Sequence, residues 1–258
     1  MKTLIPPYIE KAGIVGAPLD FPWQGPQAHI GPVETVNKMF NLIGYKTTCG
    51  MLSQAAGIIS WGAWRLEGHT NVKVLLQMVE ASFAFQVHPC YVDPDGAPTR
   101  KPKERPAAES AAAKLQLLLW EGLDADRYWH SYYQPHDSAF HSAYLVRHIM
   151  PKSKKKVFSD WLEGMLERIK EVAPKPDEPR VKDPDALSAK ERDAYYSRHW
   201  GQSLPPQVLD VEFDYQPSKR EELVEHFLRQ LSWKENPFLR SPDAMKKLGF
   251  EGKPYELG

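Results

Sequence analysis

Aromatic and imidazole side chains crowd one stretch, Tyr128-Trp129-His130-Ser131-Tyr132-Tyr133-Gln134-Pro135-His136-Asp137, which continues to His141 and His148. Imidazole and carboxylate together can ligate a transition metal or act as a general acid–base pair. Pro135 suits a first helical turn. On a helix opening there, Asp137 and His141 stand one turn apart on one face. His148 lies on the same stripe but ~10.5 Å further along the axis, too far to share a metal. Phe140, Tyr144, Leu145, Val146 and Ile149 spread around the same helix. The stripe is therefore expected to be partly buried, where a carboxylate–imidazole pair gains functional meaning. The acid–base candidates are His136, Asp137, His141 and Tyr144, and the metal-ligand candidates are Asp137 and His141. The ordinary alternative weighs more, since such a pair commonly just satisfies a half-buried imidazole. The Glu-x-x-His pattern of helical di-iron proteins is missing, as is His-Glu-x-x-His.

Other chemistry-bearing residues are more scattered. Glu67, His69 and His88 flank two helical patterns and read as capping or surface groups. Cys49 and Cys90 lack Cys-x-x-Cys spacing and read as buried, inert thiols. No Gly-x-Ser-x-Gly elbow and no phosphate-cradling Gly-rich loop occurs in the sequence. The acidic row Asp210, Glu212, Asp214 reads as the solvated side of an alternating segment. Two basic runs, Arg100-Lys101-x-Lys103-x-Arg105 and Lys152-x-Lys154-Lys155-Lys156, read as solvated loops, because acidic Asp160 and Glu163 follow the second closely.

Aromatic surface is the remaining lead. The chain holds 8 Trp, 11 Tyr and 10 Phe; most are expected to fill the core, with room for a few at an interface, where Trp, Tyr and Arg concentrate binding energy. Trp61 with Arg65 has cation–π spacing on a helix, and Trp129, Tyr132 and Tyr133 cluster in sequence. These five are the binding candidates. The tail, Asn236 to Leu257, alternates turns with single apolar anchors, which suits a strap across this protein's own surface or a partner's.

The elements that position these residues are marked by Pro and Gly. Residues 1–31 read as an irregular Pro-rich arm pinned by Phe21 and Trp23. Helical spacing runs from Val33 to Ile43 and stops at Gly44. A second helix covers Met51–Leu66, and its small residues (Ala55, Ala56, Gly57, Gly62, Ala63) would admit a close neighbour. A third runs from Asn71 to Val87, apolar on most sides and so expected at the centre. Further helices are expected over Ala107–Glu121, from Asp124 to Tyr133, from Pro135 to Pro151 and from Ser153 to Ala173. Ser188 with Glu191 and Ser218 with Glu221 form capping boxes ahead of two more, and Asp243–Leu248 is the last. Strict alternation from Leu209 to Tyr215 predicts an isolated extended segment near 208–215, packed through Val211, Phe213 and Tyr215.

The fold class is thus all-α: a multi-helix bundle of about nine or ten helices forming a single domain over 1–258. Charged, Pro-rich stretches at 93–105 and 175–185 subdivide it into 1–92, 106–174 and 186–258. Lys+Arg and Asp+Glu balance at 33 each, so no global field draws nucleic acid or an anionic membrane. The N-terminus lacks the apolar run of a signal peptide, and the most apolar stretch, Cys49 to Trp64, falls short of a membrane span. The protein is expected in the cytoplasm with reduced thiols. Its expected function is non-enzymatic: a helical adaptor, assembly factor or toxin-neutralising partner that binds another protein, with no cofactor. The alternative is a metal-dependent or acid–base enzyme with its site around Asp137 and His141.

Overall fold

The computed structural model describes residues 4–25, 38–44, 46–93, 105–123, 134–177 and 186–257. Among them stand ten α-helices and no sheet: α1 Pro7–Ala12, α2 Lys38–Ile43, α3 Thr48–Leu66, α4 Lys73–Val87, α5 Ala107–Gly122, α6 Gln134–Ile149, α7 Lys155–Val172, α8 Ala189–Trp200, α9 Arg220–Gln230 and α10 Pro242–Lys247. The fold is all-α, and no helix among the described residues is long and apolar enough to cross a membrane.

The centre is α3 rather than α4. All nineteen residues of α3 are buried, and α4, α5, α6, α7 and α8 all touch it. Small side chains, not hydropathy, carry this. A Cβ on Gly62 would lie 2.5 Å from Leu115 Cδ1 and 3.0 Å from Val146 Cγ2, so α5 and α6 sit as close as a bare Cα permits. A Cβ on Gly57 would lie 2.8 Å from Leu209 Cδ2. Helix α4, with its larger side chains, keeps one edge outward: Val74 is exposed and Val79 half-buried.

Arg65, in the last turn of α3, is 1% exposed. Its Nε donates to the Ile149 carbonyl at the end of α6 (3.0 Å), and its terminal nitrogens donate to Ala17 O (2.5 Å) and Pro18 O (2.6 Å) of the N-terminal arm. One planar donor fork thus caps the C-terminus of α6 and ties down the arm. The arm is less irregular than its proline content predicts. Pro7 sits at the tolerated first position of α1, which Gly13 stops in the left-handed region. Phe21 and Trp23 pack against the core as expected, and the Phe21 ring meets His148 edge-on at 5.7 Å.

The extended segment expected near 208–215 is a tight turn instead. Pro206–Leu209 is a 3-10 turn, and Asp210 Oδ1 accepts from Glu212 N (3.1 Å) to fold the next residues. The carbonyls a strand would offer a neighbour are taken by side chains. Trp161 Nε1 donates to Leu209 O (2.9 Å), and Arg168 donates to Asp210 O and to Val211 O (2.9 Å). Val211 and Tyr215 pack against the core, while Phe213 is exposed.

The capping box at Ser188 and Glu191 forms as its spacing predicts. The one at Ser218 and Glu221 does not, because Pro217–Lys219 turns as a 3-10 helix and α9 opens at Arg220 without a side-chain cap. The tail straps the protein's own surface. Asn236 Nδ2 donates to Gln77 O (2.8 Å), and Gln77 Nε2 returns a bond to Glu235 O (2.6 Å). Leu239 pairs with Val92, and Tyr255 N donates to Tyr91 OH (3.1 Å).

Gly62→Ala tests the close approach. The methyl group improves helix propensity by ~1 kcal/mol, yet it overpacks a fully buried contact. A net loss of about 1–3 kcal/mol in denaturant unfolding is expected. An unchanged midpoint would mean that α5 and α6 do not bear on Gly62.

Candidate functional site

The expected Asp–His stripe exists on α6. His136 is fully buried, Asp137 Oδ1 lies 3.7 Å from His136 Nδ1, and His141 is half-buried. Burial holds the His141 imidazole below the ordinary histidine range, opposed by the Asp137 carboxylate and reinforced by the Lys114 ammonium and by His136. Lys114, half-buried on α5, is itself held below the usual lysine range by burial. Phe140 closes on the His141 and Tyr144 rings, at 5.4 and 5.0 Å. His141 Nδ1, Ser138 Oγ and Ser142 Oγ are buried without a hydrogen-bond partner. Among the described residues no three His, Cys, Asp or Glu side chains converge as a metal site would require. His148 serves the arm, with Nε2 2.9 Å from Pro22 O.

The other sequence candidates disperse. Trp61 and Arg65, expected at a binding surface, are both buried. Arg65 is the strap described above. Trp61 packs with Tyr8, Phe158 and Trp161 at 6.3, 5.4 and 5.2 Å between ring centroids. Their helix is enclosed on every side, so neither side chain reaches solvent. Trp129, Tyr132 and Tyr133 lie outside the described residues, as do the helix expected from Asp124 and most of the stretches at 93–105 and 175–185. His69 Nε2 lies 2.9 Å from Ala17 O. His88 accepts from Cys90 N (3.1 Å), and its ring meets Phe250 at 4.9 Å. Cys49 is buried and its thiol pushed well up by that burial, while Cys90 is only half-buried. In the acidic row, Glu212 pairs with Lys11 and Asp214 accepts from Gln216 Nε2 (2.7 Å). Lys156 of the second basic run pairs with Asp160 (2.6 Å).

Sequence reasoning missed a cleft of about 340 Å³, built by five separate segments. Its floor is Ser60 and Trp64 of α3, and one wall is Leu76, Val79, Glu80 and Phe83 of α4. The arm supplies Leu4, Pro6, Pro7 and Tyr8; the turn after Pro205 supplies Pro206, Gln207, Leu209, Asp210 and Phe213; α9 adds Phe227. Each segment has its own anchor. Tyr8 stacks on Trp161 with ring planes 6° apart and centroids 5.5 Å apart. Leu209 seats on Gly57, and Phe227 meets Phe83 edge-on at 5.9 Å. Burial pushes the Tyr8 phenol up, against a smaller pull from the Ser60 side chain. Burial also raises the Glu80 carboxyl, partly offset by its bond from Asn236 Nδ2 (3.4 Å). Gln207 Oε1 is buried with no hydrogen-bond partner. A mainly apolar, aromatic concavity with a few polar groups is the usual form of a binding site. Its one forward signal in sequence was the apolar surplus of α4, which the cleft uses.

Lys46, also missed, is 7% exposed. It donates to Leu42 O (2.9 Å) and Ile43 O (3.2 Å), capping the end of α2, and burial lowers its ammonium to about 8. Its bonds explain it as a structural cap.

The α6 stripe makes a pH prediction. A histidine whose folded pKa is depressed favours the neutral form. Its contribution is therefore present above the unfolded value near 6.5 and is lost as pH falls from there through the folded value. The His141 ring proton resonance is expected to titrate below the ordinary range, and lower still in Asp137→Asn, with Tm falling between pH 7 and 5 less steeply in His141→Gln than in wild type. An ordinary or raised His141 titration would contradict the burial argument. No family model, curated protein or solved structure matches this chain, so the reading of its sites rests on their geometry.

Proposed function

We propose that the protein is a non-enzymatic helical binding protein of the cytoplasm that engages another protein through the α3–α4 cleft. An adaptor, an assembly factor or a neutralising partner of a toxic enzyme would each work this way. The observation that carries this reading is the mouth of the cleft. Of the five large apolar side chains exposed among the described residues, two, Leu4 (87%) and Phe213 (38%), line it. Apolar side chains gathered around an aromatic-walled cavity favour burial by a partner, and such central aromatic pockets hold most of the energy of an interface. The free thiols of Cys49 and Cys90 suit a reducing compartment.

Leu4→Ser with Phe213→Ser tests this reading. Both side chains are exposed, so the thermal melt should hold within a few degrees. A protein that co-purifies with the tagged wild type should be lost from the double variant and kept by Leu248→Ser, an exposed residue that does not line the cleft. Retention by the double variant, or equal loss from Leu248→Ser, would refute it.

A second reading, a metal-dependent or acid–base enzyme around Asp137 and His141, is favoured by the unpartnered His141 Nδ1. Elemental analysis decides it. A stoichiometric transition metal lost on Asp137→Ala with His141→Ala would carry a metal site, and a metal content indifferent to these changes would end the metal-dependent form of this reading.

A further inference from the structure

We propose that the segment received by the cleft is hydrophobic and basic: an apolar side chain fills the aromatic floor while a neighbouring lysine or arginine meets Glu80 and Asp210. The inference rests on the reading of the cleft as a protein-binding site and adds the chemistry of the partner.

Charge complementarity carries it. The described residues that line the cleft include two carboxylates, Glu80 and Asp210, and no Lys, Arg or His. The amide oxygen of Gln207 adds an acceptor that is buried and unpartnered. The charge of the lining is thus negative, with the neutral donors Tyr8, Ser60 and the Gln207 amide beside it, and an acidic occupant would add a third negative charge. Glu80 accepts from Asn236 Nδ2 at 3.4 Å, a long bond for a carboxylate able to take about four. Its desolvation is the kind of cost that an incoming cation offsets. Lys11, which acts electrostatically on Asp210, is ion-paired to Glu212. At about 340 Å³ the cavity is at the small end of binding pockets, suited to one anchoring side chain and its neighbour rather than to a whole helix face.

The test is selection of a random twelve-residue peptide library displayed on phage against the folded full chain, counter-selected on Val79→Trp, whose indole fills the cleft. Peptides with an apolar or aromatic residue within a few positions of Lys or Arg should be enriched. Their affinity should fall about tenfold or more, ~1.4 kcal/mol, for Glu80→Gln with Asp210→Asn, a pair that keeps shape and the bonds to Asn236 and Glu212. Enrichment of acidic or uncharged peptides, equal affinity for the neutralised protein, or no enrichment sensitive to Val79→Trp would each overturn the inference. The natural partner separates the two failures. If it is lost from Leu4→Ser with Phe213→Ser but bound undiminished by Glu80→Gln with Asp210→Asn, the cleft is the site and only its charge preference is wrong. If the first pair retains it, the cleft is not the site.

Discussion

A helix enclosed on every side can carry only side chains that let its neighbours in or large ones whose shape the neighbours match. The rest of this structure follows from α3 meeting that demand along its whole length. Gly57 and Gly62 bring Leu209, Leu115 and Val146 to within a methyl group of the backbone, at distances where dispersion is fully realised. Trp61 fills the remaining volume among Tyr8, Phe158 and Trp161. Its indole N–H has no partner, which costs on the order of 1–3 kcal/mol; the aromatic packing of four rings outweighs it. Arg65 ends the helix with a buried charge, tolerable because three carbonyls, two of them in the arm, receive its donors.

The cleft is a consequence of this arrangement. Because α3 is enclosed, its surface at Ser60 and Trp64 can be reached only through a gap between elements packed upon it, and that gap is bounded by parts held elsewhere. The turn from Pro206 to Phe213 is fixed to α7 by Trp161 and Arg168, and the arm by Arg65 and by Tyr8 on Trp161. Helix α4 is steadied by the C-terminal strap through Asn236 and Gln77. A concavity whose walls are separately anchored keeps its shape without an occupant, which limits the ordering cost of binding.

Much of the fold was legible because helix ends follow local rules. Pro135, the Ser188–Glu191 box, Gly201 and Ser241 act through neighbours a few residues away, and windowed reading captures that. The failures were non-local. The alternation from Leu209 to Tyr215 is genuine, but a strand requires a partner edge, and here Trp161 and Arg168, over forty positions away, take its carbonyls. Hydropathy pointed to α4 as the central helix; it measures the affinity of side chains for a core and not the closeness of approach that glycine permits α3. Trp61 and Arg65 were read as surface for the same reason. The Asp137–His141 pair was legible because one helical turn fixes it. The cleft, drawn from segments near residues 4–8, 60–64, 76–83, 206–213 and 227, has no spacing to detect.

Between the two candidate sites, the cost of each to the fold decides. The α6 stripe carries a cost of its own, since His141 Nδ1, Ser138 Oγ and Ser142 Oγ are buried without partners. Its imidazole, however, is held toward the neutral form beside a carboxylate 39% exposed, and among the described residues no large apolar side chain of α6 is left outward. The cleft is different. A desolvated Glu80, an unpartnered Gln207 amide oxygen and the outward Leu4 and Phe213 bring three different kinds of unfavourable choice to one cavity. Gln at position 80, or a polar residue at 213, would remove the penalty at each position while keeping an acceptor for Asn236. Locally unfavourable choices gathered around one cavity are what binding, rather than folding, requires of a sequence.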